Sequence, residues 1–356
     1  MPRSAFHSTL VRVRPVWQPF SSDWRHVALS SRVRLARNLA NRPFPLRASA
    51  EELGHIEALL TRRLLAAGAL RGGVCGRVDD LEPFEREMLV ERRLISPELA
   101  RGGAGRAFAA GPTHHLAALV NEDDHLRLQA ILPGLDLERA WTLAAAALSQ
   151  VDGGSGFAFD SRLGYLTSSP TQVGTGLRAS VMVHLPALAL GGQIGQIQQA
   201  LPHLGCAIRG AFGDGSEAEG DLYQVHNEST LGEDEEAILG RVTSAVREVI
   251  SCEQSARLAA VRRERSLLYD RIGRAYGILR YARLLTTEEA LGGLSALVLG
   301  VQAGVLPSLR TDALNRLLLE VQPGHLQQRS AGRVEPAARE ALRAQVVREV
   351  LSAGTM

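Results

Sequence analysis

The sequence predicts an α+β chain, a mixed domain of strands and helices followed by an all-helical one. Three observations carry this. Val27–Leu35 and Leu177–Leu185 alternate with the period of two that marks a strand. Segments such as Glu51–Ala67 instead repeat apolar residues at helical spacing. From about Ala256 the helical spacing dominates, with arginines opposite the apolar positions. A boundary near residue 257 gives an N-terminal arm over 1–26, a mixed domain over 27–257 and a helical domain over 258–356.

The elements follow in order. In Val27–Leu35, Arg32 and Arg34 project from one face. Glu51–Ala67 carries Leu53, Ile56, Leu59, Leu60 and Leu64 on one helical stripe and ends near Gly68. Met88–Leu94 and Leu137–Ser149 read as further helices, Asp152–Gly156 and Ser168–Gly176 as loops. In Leu177–Leu185, Leu177, Ala179, Val181, Val183 and Leu185 form a buried face, and Arg178, Ser180, Met182 and His184 a polar or functional one. Thr230 and Glu233 have capping-box spacing, which predicts a helix starting at Thr230; Thr286 and Glu289 predict another before Leu291–Leu299. Leu258, Val261, Leu267, Leu268, Ile272, Tyr276 and Leu279 recur along helices, and Pro336 opens a last helix through Leu351.

Composition narrows the chemistry. The chain has 356 residues, is 45% hydrophobic and 22% charged, and carries a net charge of +2. That balance argues against a nucleic-acid binder working by bulk charge. All 40 basic side chains are arginine. Lysine chemistry is therefore excluded: no Walker A lysine, no Schiff base, no kinase strand lysine. Any phosphate must be met by guanidinium forks. Cys75, Cys206 and Cys252 lie too far apart for a CxxC pair and fit a reducing compartment. Met1–Phe20 lacks a signal-peptide core, and no apolar run reaches the ~18 residues of a membrane span, so a cytoplasmic protein is expected.

Arginine gathers with carboxylates or small residues at Ser30–Arg34, Asn121–Arg127, Arg178–Ser180 and Arg209–Gly215. A lone arginine is usually a solvated surface side chain, but small neighbours let a ligand approach the backbone. The acidic run Glu122-Asp123-Asp124 is most simply a solvated loop; at the end of a buried strand it would need cations such as Mg²⁺ or a guanidinium.

These blocks resemble the phosphagen (guanidino) kinase superfamily, and within it the bacterial protein-arginine kinase branch, McsB. The resemblance rests on SSRVRLARN at Ser30–Asn38, LISPELA at Leu94–Ala100, NEDDHLRLQ at Asn121–Gln129 and the long block Phe157–Pro186. Arg209–Asn227 and Thr230–Ile238 extend it, in order, across residues 27–257. With the strand pattern it implies an antiparallel sheet flanked by helices, then a helical domain expected to dimerise.

The resemblance implies transfer of the γ-phosphoryl group of MgATP to an arginine side chain of a protein. Ser30, Ser31, Arg32, Val33 and Arg34 would contact the nucleotide, completed by Arg93, Arg127, Arg178 and Arg209. Ala179, Ser180, Val181 and Met182, and Gly210, Ala211, Phe212, Gly213 and Asp214, would line the same site. Glu122, Asp123, Ser169 and Asp214 would hold the substrate guanidinium, with Asp123 and Asp214 assisting its deprotonation and Arg127, Arg178 and Arg209 acting in catalysis. No resident protein-held metal site is implied. In the last helix, Arg339, Glu340, Arg343 and Ala344 would bind phosphoarginine, the two arginines sharing a face at i,i+4. Implied partners are arginine-exposing proteins, a zinc-containing activator, the ClpC–ClpP protease and a heat-shock repressor, in a stress-linked quality-control pathway.

The sequence departs from the family where the guanidinium would sit. Asp123 and Asp214 stand where the family has glutamates, Ser169 replaces a cysteine, Gln172 an asparagine, Arg93 a histidine and Glu340 an aspartate. Two carboxylates one methylene short retract by more than ~1 Å, a misplacement that can cost on the order of 10²-fold in rate. Two readings follow: an active protein-arginine kinase, or a weak or inactive relative acting as a nucleotide- and phosphoarginine-binding adaptor. A free-arginine or creatine kinase is disfavoured by the helical domain.

Overall fold

The computed structural model describes residues 26–152, 156–211, 218–330 and 334–353. Residues 1–25 of the expected arm, and Phe212, Gly213 and Asp214, lie outside the described residues.

The elements run in chain order as β1 (Ala28–Arg37), α1 (Ala50–Ala66), β2 (Val74–Arg77), α2 (Pro83–Glu91), α3 (Pro97–Ala100), β3 (Ala107–Ala110), β4 (Leu116–Val120), β5 (Leu126–Pro133) and α4 (Leu137–Asp152). A small hairpin, β6 (Phe159–Asp160) and β7 (Gly164–Tyr165), precedes β8 (Leu177–His184), α5 (Pro186–Leu190) and α6 (Ile194–Ala200). Then come β9 (Cys206–Gly210), β10 (Leu222–Asn227), α7 (Glu235–Arg263), α8 (Arg265–Tyr281), α9 (Thr287–Gln302), α10 (Thr311–Glu320), α11 (Pro323–Arg329) and α12 (Pro336–Ala353). Among the described residues no helix is long and apolar enough to cross a membrane.

The chain divides into two compact units; of the described residues the first holds Ser30–Val181 and His226–Thr243, the second the rest. In the first, the strand order is β2-β3-β4-β5-β1-β8. β2 with β3, β3 with β4, β4 with β5 and β5 with β1 pair antiparallel. Register assigns the two faces. Val33 pairs with Ala130 and Leu35 with Leu128, all buried; α4 packs on β5, and α1 on β3 and β4. Arg32 pairs with Ile131, Arg34 with Gln129 and Ala36 with Arg127, which puts both β1 arginines and Arg127 on the opposite face. Over β2–β4 that second face is apolar: Val74, Phe108, Ala110, Ala117 and Leu119 form a core with Val78, Leu89, Leu94, Ile95 and Leu99. The chain from Val78 to Ala100 thus covers half of the face, and the arginines occupy the other half.

Several expectations needed correction. The helix read over Met88–Leu94 is α2, which begins at Pro83, its start held by Glu85 accepting the Glu82 N–H at 2.9 Å. The supposed polar face of β8 is buried apart from half-buried Arg178: Ser180 and Met182 are 1% exposed and His184 0%. Thr230 caps no helix. Its hydroxyl donates to the Val173 carbonyl at 2.8 Å, and α7 starts five residues later, capped by Asp234 Oδ1 accepting from Ala237 N–H at 2.8 Å. The box at Thr286 and Glu289 forms as expected.

In the second unit α7 runs through residue 257 without interruption, and Glu264 separates it from α8. Gly293 and Gly300, two turns apart on α9, admit α8: an added Cβ would meet Leu279 at 2.9 Å and Ile272 at 3.0 Å. Of the apolar residues recurring along these helices, Leu268, Ile272 and Leu279 are buried, whereas Leu258, Val261 and Leu267 are exposed. A buried ion pair joins Glu253 and Arg257 at 2.7 Å. The Glu253 carboxylate also accepts from Ala187 and Leu188 N–H at the start of α5, and Arg257 donates to the carbonyls of His26 and His184.

Candidate active site

The exposed half of the arginine face lies on β5, β1 and β8. Arg32 and Arg34 are half-buried there, as is Arg178, and the Ser180 hydroxyl donates to the Arg32 carbonyl at 3.4 Å. Val33, Ala179 and Val181, expected among the nucleotide contacts, are 0% exposed and belong to the core. Met182, in the second unit, is 1% exposed. Ser30 is buried, and the Ser31 hydroxyl is spent on structure, donating to Gly134 O at 2.9 Å and accepting from Asp136 N–H at 2.8 Å.

Arg93 joins the face through an unusual turn. Leu94 N–H bonds Leu89 O at 2.9 Å and Arg93 N–H bonds Val90 O at 2.7 Å, the Schellman closure of α2. That closure normally takes glycine, yet here Arg93 adopts φ +61. Gln129 holds it, its amide donating to Arg93 O at 2.7 Å and Leu94 O at 3.2 Å. A strained non-glycine backbone at a site is a pointer to function.

At one end of β5 the hairpin Asn121–His125 sorts its three acids into three environments. Asp124 is 0% exposed and accepts from Asn38 Nδ2 and from Ser168 N–H, each at 2.7 Å. His125 Nδ1 accepts from Leu39 N–H at 3.0 Å, so its Nε2–H faces Pro43 O at 2.9 Å. Burial lowers its pKa, consistent with a neutral ring serving as a strut, not a proton carrier. Asn121 donates to Leu53 O and Gly105 O, both at 2.9 Å, and its φ of +53 turns the chain.

These struts hold Glu122 and Asp123. The Glu122 side chain is 2% exposed, ion-paired with Arg127 and bonded by the Ser96 hydroxyl, so its partners here are internal. Asp123 is 53% exposed in its side chain, with Oδ2 on Arg127 NH2 at 2.9 Å, and is the carboxylate presented outward. Burial alone would lower the Arg127 pKa, but Glu122 and Asp123 outweigh it and the guanidinium is held charged, above its ordinary value. Ser168 Oγ donates to the Asp123 carbonyl at 2.6 Å, and half-buried Ser169 follows it, its hydroxyl 3.0 Å from that of Thr171.

The structure thus brings Arg32, Arg34, Arg127 and Arg178 onto one sheet, with Arg93 held to it through Gln129 and Asp123 and Ser169 at its end. Arg209 is exposed, with Gly210 buried and Ala211 half-buried, in the second unit; Asp214 lies outside the described residues. On α12, Arg343 is 3% exposed and donates to Val321 O and Leu285 O, both at 2.7 Å, while Ala344 is 0% exposed. Of the residues expected to bind phosphoarginine, Arg339 and Glu340 are half-buried, whereas Arg343 is a strut. Sequence reasoning missed the scaffolding by Asn38, Ser96, Gln129 and Ser168. All four sit inside or beside the matched blocks, and that adjacency was the available signal.

Two family models match the chain: ATP:guanido phosphotransferase, C-terminal catalytic domain, over residues 58–256, and the protein-arginine kinase McsB C-terminal domain over 265–355. Among curated relatives, the protein-arginine kinase of Moorella thermoacetica is 41% identical over 342 residues, covering 94% of this chain and 97% of that protein. That of Symbiobacterium thermophilum is 40% identical over 353 residues, covering 96% and 98%. That of Geobacillus thermodenitrificans is 42% identical over 341 residues, covering 94% and 93%. Among solved structures, lombricine kinase shares the fold with a TM-score of 0.57 at 23% identity, over 72% of each chain. The duplicated taurocyamine kinase of Schistosoma mansoni with bound transition-state-analogue components gives 0.56 at 24% identity, over 70% of this chain and 38% of that one.

Proposed function

Starting from a chain that belongs to the ATP:guanido phosphotransferase family and carries the C-terminal domain of its protein-arginine kinases, we propose that it moves the γ-phosphoryl group of MgATP onto arginine side chains of proteins. The observation that carries this is the arginine-lined half-face with Asp123 at its end. Phosphoryl transfer demands alignment and cancellation of dispersed negative charge more than covalent help from the protein. Arg32, Arg34 and Arg178 supply that charge without lysine, and Arg127 is pre-aimed by Glu122. Magnesium would travel on the nucleotide phosphates with its own waters, as it commonly does. The described residues hold no cluster of three candidate ligands to form a separate cage. Once bound, the ion cancels part of the triphosphate charge.

The acceptor guanidinium is the weak partner, because it is protonated at neutral pH. Asp123 fits a bidentate hold on it and receives a proton as the nitrogen attacks. Ser169, beside the residue that anchors the Asp123 carbonyl, stays neutral and can only orient the acceptor. The C-terminal helices and the exposed Leu258, Val261 and Leu267 support a homodimer, and release of the modified protein to a Clp-type protease is the proposed outcome.

The shortened carboxylate favours the second reading, a weak relative that binds nucleotide and phosphoarginine as an adaptor. One experiment separates the two: radiolabel transfer from MgATP to an arginine-rich protein, with detection of acid-labile phosphoarginine. The kinase reading expects labelled arginine, and Asp123→Glu should raise the rate roughly tenfold if carboxylate reach limits it. Nucleotide binding with no label in either form leaves the adaptor.

A further inference from the structure

Exposed large apolar side chains in the first unit are few, and three of them fall together. Among the described residues of that unit, Leu46, Leu65, Phe159, Leu163 and Leu231 are the exposed ones, at 85%, 61%, 61%, 46% and 55%. Phe159 and Leu163 sit on the small β6–β7 hairpin. Leu231 comes to the same place through backbone: Tyr165 and Gly174 exchange hydrogen bonds of 2.7 and 3.2 Å, and Gly174 lies against Thr230 and Leu231 so closely that an added Cβ would meet Leu231 Cα at 3.3 Å.

This patch is built. The Asp160 carboxylate accepts from Arg162 N–H at 2.8 Å and Leu163 N–H at 3.0 Å, fixing the turn. Phe159 meets Tyr165 edge-on at 5.2 Å, and the Arg37 guanidinium lies 3.5 Å over the Tyr165 ring. Arg37 is itself held by Ala36 O and Thr175 O, so the aromatic pair rests on a fixed support.

The patch is also tied to the acceptor carboxylate. Asn38 donates from Nδ2 to Asp124 and to Leu166 O at 3.1 Å, and its carbonyl accepts from Ala158 N–H at 2.7 Å. Three residues after Tyr165 comes Ser168, whose hydroxyl holds the Asp123 carbonyl. Tyr165 pairs with Phe159, and the three residues from Tyr165 to Ser168 span at most ~10 Å, so the patch lies within the reach of a few residues of an extended polypeptide from Asp123.

We infer that Phe159, Leu163 and Leu231 form the docking surface for the polypeptide that carries the acceptor arginine, taking an apolar side chain a few residues from it. This rests on the kinase reading and deepens it. A rigid aromatic presented to solvent contributes contact area at little entropic cost, which suits an anchor for an extended peptide. Its continuity with Asp123 selects a substrate segment over other occupants.

The test uses the full-length protein and two fluorescent peptides. Each has one arginine; one carries leucine or phenylalanine at positions within about six residues of it, the other serine at the same positions. Wild-type protein should bind and turn over the apolar-flanked peptide with a Kd and KM on the order of tenfold lower. Phe159→Ser with Leu231→Ser should erase that preference while leaving KM for MgATP and kcat for the serine peptide unchanged. Transfer with the preference intact in the variant overturns the docking surface and leaves the kinase. A preference seen in binding but no transfer to any peptide overturns the kinase reading and leaves the surface. Loss of a dimer in the variant, with unchanged peptide selectivity, assigns the patch to a second copy of the chain and also overturns the proposal.

Discussion

Arg32 and Arg34 on β1 and Arg257 and Arg343 in the second unit are the same residue under opposite conditions. The first two are half-buried on one sheet face, side by side with Arg127. The other two are 2% and 3% exposed, and their donors go to a carboxylate and to backbone carbonyls. In the first region the guanidinium groups share a partly open sheet face, where the proposed nucleotide would meet them; in the second they are buried among carbonyls and a carboxylate. The difference teaches that an arginine's task is set by the acceptors its backbone neighbours leave within reach.

The comparison can be broken by substitution, and the largest effect is expected in the second region. Arg257→Met leaves the Glu253 carboxylate buried beside two N–H groups but without its cation. Removing one partner of a buried pair is expected to cost about 3–5 kcal/mol, read from urea unfolding. A loss under about 1 kcal/mol would mean the pair is not buried as described. The reverse holds for Arg32→Ala: unfolding should shift little, while phosphoryl transfer falls on the order of 10²–10³-fold. Equal damage to stability and rate would erase the distinction between the regions.

The smallest expected effect sharpens a third arginine environment. His114 is 3% exposed, and burial, then Arg92 and His115, push its pKa down to about 4. Arg92 is itself lowered to about 10 by burial. Because the folded value lies below the ordinary one, this contribution to stability is complete above pH ~6.5 and is lost as pH falls toward 4. The loss amounts to up to about 3 kcal/mol at ~1.4 kcal/mol per unit. His114→Asn, which suits the φ of +59 there, should flatten that part of the stability profile in parallel unfolding curves.

Much of this was legible in residue order. Period two placed Arg32 and Arg34 on one face, and the strand pairing put Arg127 with them. What period two could not reveal was coverage. In β8 both faces are buried, because alternation tells which residues share a side and not what packs against it. Thr230 and Glu233 had the right spacing for a cap, yet the Thr230 hydroxyl met the Val173 carbonyl, a partner 57 residues away. Acidic order in Glu122-Asp123-Asp124 likewise said nothing of partners; Asn38, Ser96 and Ser168 decide which acid stays open, and each arrives from a distant segment. Arg343 repeats the lesson, since its i,i+4 relation to Arg339 is correct while its donors are spent on other helices.

Asn38 concentrates a vulnerability of a different kind. One amide nitrogen bridges the Asp124 carboxylate and the Leu166 carbonyl, with its oxygen on His125 N–H. Hydrolytic ageing of that amide to an acid would exchange a donor for an acceptor 2.7 Å from Asp124. Two carboxyl groups would then compete for a single proton in a buried site. The lifetime of the acceptor end of the site is therefore bounded by the chemical durability of one asparagine, which its burial and the leucine that follows it protect from the spontaneous reaction.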